Sequence, residues 1–240
     1  THGARVPTAP KFVTTLAELS ELSSFVTNKT DQFLVDMDYV EGGHPFKGLG
    51  ALSPHQGAHI HFDNTDTSYH DGMSPNEYPP IYAVADGKIL RIDNYFKVSN
   101  PNDGDHYKYD IELLIAKDGN RSVSFSYSIE PMTDPGNESF YEPFILVEKG
   151  QKVKKGEIIA YMYLSPGYGI GSHIHFQINK NNKHMSPSIF NEDIVNAFHN
   201  KWDIFGQDSD GTSSVDLPAC IGYKISEEEN PFDTGYKETL

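Results

Sequence analysis

Two segments of this chain repeat one pattern of chemistry-bearing residues: Gly57-Ala58-His59-Ile60-His61-Phe62-Asp63 and Gly171-Ser172-His173-Ile174-His175-Phe176-Gln177. In an extended strand, residues two apart share a face, so His59 and His61 project together, as do His173 and His175. Imidazole is the commonest metal ligand among side chains. One such pair alone would read as an exposed strand face or two satisfied histidines. Two matching pairs, with His55 upstream, point to a divalent-metal site with a catalytic histidine beside it.

The elements that must position these residues follow from local pattern. Leu16, Leu19, Leu22 and Phe25 recur at helical spacing behind Thr14 and Thr15, which predicts a helix over Thr15–Val26. Phe33, Val35, Met37 and Tyr39 alternate with polar residues, the pattern of a half-buried strand that Glu41-Gly42-Gly43 ends. Residues 44–54 form a loop delivering the chain to His55, and a strand is expected from there through Phe62. In a regular strand, positions 55, 57, 59, 61 and 63 share a face. Gly57 then leaves room for an ion between His55 and His59.

Residues 64–79 are a polar loop, and Ile81–Ile92 read as two β runs around an Asp86-Gly87 hairpin turn. Tyr109–Ala116 and Ser122–Ile129 flank Asp118-Gly119-Asn120 as a second hairpin. Residues 147–160 are short strands separated by glycine turns, and Ile189–Trp202 is a short helix. His70 and His106 fall in loops and read as solvated histidines. Asn28-Lys29-Thr30 and Asn137-Glu138-Ser139 are sequons without consequence on their own.

Composition narrows the function. The 240 residues can bury a sizeable core. Twenty glycines, 15 prolines, 14 tyrosines and 14 phenylalanines suit a loop-rich β protein. Thirty-four acidic against 19 basic residues give a formal charge of −15, which repels phosphate backbones and makes nucleic acid a poor partner. No apolar run approaches the roughly 20 residues of a membrane span. Cys220 is the only cysteine, so no intramolecular disulfide and no cysteine-based zinc site can form.

The order of parts resembles the lysostaphin-type (LytM-like) zinc endopeptidases, which cut peptidoglycan cross-bridges. The resemblance is carried by His55-x-Gly57-x-His59-Ile60, then "IYAVADGKIL", then "VEKGQKVKKGEIIAY", then "GYGIGSHIHFQI". It covers roughly residues 46–190 in the family's order. It implies a mostly β, antiparallel LytM-like domain (a duplicated hybrid motif), to which the helix read from the apolar spacing adds an N-terminal lead-in and the remaining chain a C-terminal extension. The organisation expected is a lead-in over 1–45, a metallopeptidase-like β domain over 46–190 and an extension over 191–240.

The family holds zinc through His, Asp and His, in a His-x-Gly-x-Asp segment and at the second histidine of His-x-His. Carried over, His55, His59 and His175 are the metal ligands and His173 is the catalytic histidine. Two departures follow. His59 stands where the family has Asp, giving a three-histidine zinc site. A register shifted to His59 and Asp63 is the alternative. The family's second catalytic histidine, in Tyr-x-His, has no counterpart in Ser124–Ile129, which offers Tyr127 as a hydrogen-bond donor to an oxyanion.

The resemblance implies a zinc-dependent, endopeptidase-like hydrolase acting on peptidoglycan peptide or glycine-rich peptides through a metal-bound water, secreted or periplasmic. Two alternatives stand beside it: a catalytically inactive, metal-binding peptide or glycan recognition module of the same fold, and a metal-assisted polysaccharide lyase.

Overall fold

The computed structural model describes residues 18–44, 46, 57–63, 65–98, 106–133, 136–164, 171–180 and 183–201. The long hairpin at its centre is the one read from the sequence. β5 (His106–Asp118) and β6 (Arg121–Glu130) pair antiparallel down to Asp118↔Arg121, with Gly119 in the left-handed region at φ 61° to make the turn. Period-2 alternation sorts β6 into two faces. Val123, Phe125, Tyr127 and Ile129 enter the apolar core, while Ser124, Ser126, Ser128 and Glu130 turn to the other side.

β9 (His173–Lys180) lies on the other edge of β6, and β2 (Ala58–His61) pairs with β9. β1 (Gly42–His44) closes that side. On the other side β4 (Gly87–Val98) and β7 (Lys152–Val153) follow β5, and β10 (Lys183–Met185) pairs with β9. Every pairing in this eight-stranded sheet is antiparallel. β3 (Pro80–Tyr82) and β8 (Ile158–Tyr161) form a separate two-stranded ribbon. The fold is mostly antiparallel β with few helices.

The core lies on the face opposite the serines and histidines. Ile60, Ile174, Phe176 and Ile178 join the apolar face of β6, and all are fully buried. α2 (Glu192–His199), capped by the Asn191 side chain accepting from Ile194 N, seats Phe198 against Phe176 at a ring separation of 5.9 Å. Phe33 completes this cluster, 5.7 Å from Phe176 and 5.1 Å from Phe190. Such ring pairs contribute about 0.5–1.5 kcal/mol each beyond their burial. The strand carrying His173 and His175 is therefore backed by a tightly packed aromatic layer.

Several expected elements are corrected. Of the helix over Thr15–Val26, the described residues show one turn, α1 (Ser24–Thr27). Ahead of it the backbone bridges to β5 instead, through Leu22 N to Lys117 O and Lys117 N to Ser20 O. The segment from Phe33 to Tyr39 is no strand: Phe33, Leu34 and Val35 are all buried, and Met37–Tyr39 form a 3-10 turn. Asp86-Gly87 does not close a hairpin, because β3 pairs with β8 while β4 pairs with β5 and β7. No helix among the described residues is long and apolar enough to cross a membrane.

Candidate active site

Register brings the two histidine pairs together. In the β2–β9 pairing His59 stands opposite His175 and His61 opposite His173. Because both pairs share the parity that faces away from the core, four imidazoles converge on one patch. Ring centroids are 4.6 Å apart for His59–His175, 5.2 Å for His59–His173 and 5.7 Å for His61–His173. β6 continues the patch, with Ser128 opposite His175 and Glu130 opposite His173.

Gly57 explains how His175 fits. Its φ of 106° lies in the left-handed region, and a Cβ added there would stand 2.1 Å from His175 Nε2 and 2.3 Å from Cε1. The glycine thus makes room for the His175 ring itself. The positive φ also breaks regular strand alternation at this residue, and β2 begins at Ala58. His55 lies outside the described residues.

A polar ladder runs along β9 from the site. His175 Nε2 is 2.9 Å from Gln177 Oε1, Gln177 Nε2 donates to Asn179 Oδ1 at 2.9 Å, and Asn179 Nδ2 donates to Glu112 Oε1 at 3.4 Å. An amide oxygen accepts, so His175 Nε2 donates in this contact, and Nδ1 is the nitrogen that would be turned to a metal. Metal-binding histidines are commonly oriented by such a contact on the other nitrogen.

His173 is held at both nitrogens. Nδ1 is 3.0 Å from Gly171 O, and Nε2 is 3.3 Å from Glu130 Oε2. His106 reaches the same carboxylate oxygen, with Nε2 at 3.1 Å. His106 is therefore not a solvated loop histidine: it opens β5 and is only 4% exposed. His70, by contrast, is exposed, as expected.

Burial acts to raise the Glu130 carboxyl, but hydrogen bonds and charge from His106 and His173 outweigh it and hold the pKa far below the ordinary carboxylate range. A carboxyl depressed below its unfolded value of about 4.3 stabilises the fold above that value. The contribution is lost as pH falls through the depressed folded pKa. Glu130→Gln is accordingly expected to be less stable than the parent at pH 7, with the gap narrowing at pH 3. Urea unfolding at the two pH values checks this.

Tyr127 has a different place from the one expected. It pairs with Phe176, is fully buried on the core face, and turns away from the histidines. Its hydroxyl donates to Tyr82 O and accepts from Val84 N, both at 3.0 Å, tying the chain after β3 to the sheet. Burial pushes its pKa far above the ordinary tyrosine value. Tyr127→Phe leaves two buried backbone groups without that partner, an expected cost of about 1–3 kcal/mol. Zinc affinity should be unchanged in the variant, which calorimetry and urea unfolding together would show. Asp63, the alternative ligand, is engaged by Thr65, accepting from its backbone N at 2.7 Å and its Oγ1 at 2.6 Å.

Zinc takes imidazole nitrogens in tetrahedral sites. The adjacent His59 and His175 rings, with one ring's cradle cleared by Gly57, suit two of its positions. Among the described residues no group of three or more His, Cys, Asp or Glu side chains is placed to hold a metal. The third ligand of the expected set is His55, beyond those residues.

The pattern defining Peptidase family M23 matches residues 134–187, a segment that includes His173 and His175. No curated protein matches the chain. Among solved structures, a zinc containing peptidase from Vibrio cholerae is 20% identical at a TM-score of 0.37, over 66% of this chain and 39% of that one. The catalytic domain of lysostaphin from Staphylococcus simulans is 20% identical at a TM-score of 0.33, over 70% of this chain and 95% of that domain. The catalytic domain, in a mutant form, of a prophage-encoded M23 protein from Enterococcus faecalis is 17% identical at a TM-score of 0.35, over 61% of this chain and 86% of that domain. This chain thus spans well under half of the Vibrio cholerae peptidase and nearly all of the lysostaphin domain.

Proposed function

We propose that this chain is a zinc-dependent endopeptidase that hydrolyses peptide bonds in peptidoglycan or in glycine-rich peptides, and that it works outside the cytoplasm, where that substrate lies. One observation carries the reading: the β2–β9 register sets His59 against His175 and His61 against His173 on a single polar face of the sheet. The M23 match over the segment holding the second pair supports it. In this reading His55, His59 and His175 hold the zinc.

Bound zinc supplies Lewis acidity, polarising a carbonyl and acidifying water. The chain's own residues do the rest. His173, 5.2 Å ring to ring from His59, moves the proton between water and the departing amine at Nδ1, exchanging its contact with Gly171 O, while Glu130 keeps Nε2. Gln177 orients His175 through Nε2, and Glu130 and Gly171 orient His173. Tyr127 takes no part.

A second reading, recognition of peptide or glycan without cleavage, is favoured by the double engagement of His173, which must give up one contact to act as a base. His173→Ala separates the two. The peptidase reading expects this variant to bind zinc normally, by calorimetry, and to release no new amino groups from peptidoglycan or pentaglycine. Turnover equal to the parent's would exclude His173 from the chemistry.

A further inference from the structure

The geometry points to Glu130, backed by His106, as the positioning residue that fixes the His173 ring in the candidate site. The inference rests on the reading that places His173 beside the reacting atoms. Glu130 is the ionisable side chain that β6 turns to the histidine face, in line with Ser124, Ser126 and Ser128. Its Oε2 stands 3.3 Å from His173 Nε2 and 3.1 Å from His106 Nε2, while His173 Nδ1 is 3.0 Å from Gly171 O. Both partners accept, so a neutral ring donates to one of them: with Nε2–H on Glu130 the ring plane is set and Nδ1 is the nitrogen that exchanges a proton. A carboxylate only accepts, so it draws an N–H from each imidazole toward one point.

The backbone shows that this contact is built in. β6 ends just after Glu130 at Pro131, and Met132 takes a φ of 56°, a left-handed conformation costly for a residue with a side chain. Ser172 Oγ donates to Pro131 O at 3.0 Å, pinning the bend to the start of β9 beside His173. Tyr107 N donates to Thr133 O at 3.1 Å, pinning it to the start of β5 beside His106. The strand ends that carry the three groups are thereby locked together. His106 is almost wholly buried, a position that demands a partner for its polar nitrogen, and Glu130 is that partner. Partners that orient metal-ligating histidines are worth about 10–100-fold in metal affinity or activity, and an effect on that scale is expected for one that orients His173.

The test is a ring N–H correlation spectrum of the full chain labelled with nitrogen-15 histidine, paired with turnover on a glycine-rich peptide. The parent should show solvent-protected ring N–H signals from His106 and His173. Glu130→Ala should lose both protections, keep its zinc affinity, and lower kcat by about 10–100-fold with KM unchanged. Parent-like protection of His173 in this variant, or unchanged kcat, would overturn the assignment. If Glu130→Ala fails to fold, Glu130→Leu decides: it keeps much of the volume and has no acceptor oxygen, so reduced His173 protection supports the role and parent-like protection refutes it. A parent that cuts nothing would defeat the peptidase reading, while the ring signals would still decide the positioning role.

Discussion

Gly57→Ala is expected to abolish stoichiometric zinc binding, although it alters no ligand. The added methyl would sit 2.1 Å from His175 Nε2, 2.3 Å from Cε1 and 2.7 Å from Cδ2, so it collides with a whole edge of the ring. The backbone cannot relieve the clash cheaply, because φ is 106° and alanine resists that region. His175 must therefore swing off, breaking its contact with Gln177 and separating its ring from His59. Forcing extra volume into a packed site costs about 1–3 kcal/mol. Zinc titration calorimetry with urea unfolding measures both effects. Parent-like affinity would mean that His175 binds no metal in the position the structure gives it.

The second large effect separates histidines that look equivalent in sequence. His59→Ala and His175→Ala each remove a ligand of the three-histidine set. They should weaken zinc binding by more than the roughly 10–100-fold typical of residues that merely orient a ligand. His61→Ala should keep nearly all of it. His61 stands opposite His173, with a 5.7 Å ring separation, while His59 stands opposite His175 at 4.6 Å. The same calorimetry on the three variants checks the order. If His61→Ala lost zinc and His59→Ala kept it, the ligand register would be shifted along β2.

These contrasts show what was legible in the sequence. The β5–β6 hairpin was, because its alternation is long and its Asp-Gly-Asn turn has the φ that glycine supplies. α2 (Glu192–His199) falls within the short helix read over Ile189–Trp202. Strand partners were not legible. Asp86-Gly87 has hairpin chemistry, yet β3 and β4 belong to different sheets, and nothing local says which β run a strand will meet. Leu34 made the strand reading of Phe33–Tyr39 doubtful in principle, since an apolar residue on the supposed polar face breaks the period.

At the site, the sharing of a face within each histidine pair could be read from spacing, but their meeting required the β2–β9 register. Tyr127 was misplaced although a signal existed. Serines 124, 126 and 128 mark the polar parity of β6, and Tyr127 has the parity of Phe125 and Ile129. The same signal would have nominated Glu130, the next residue on the polar parity. His106 carried no such mark; its burial and its contact with Glu130 are tertiary features. Gly57 was singled out correctly as a place needing space, but what fills that space is a ring from a strand more than a hundred residues away in sequence.

The measurement that tests the central claim most directly is the release of new amino groups from purified peptidoglycan by protein carrying one equivalent of zinc, compared with the same protein after chelation. The account predicts steady release with zinc, none after the metal is removed, and recovery when zinc is returned. Stoichiometric zinc with no amino groups released from peptidoglycan or from pentaglycine would contradict it.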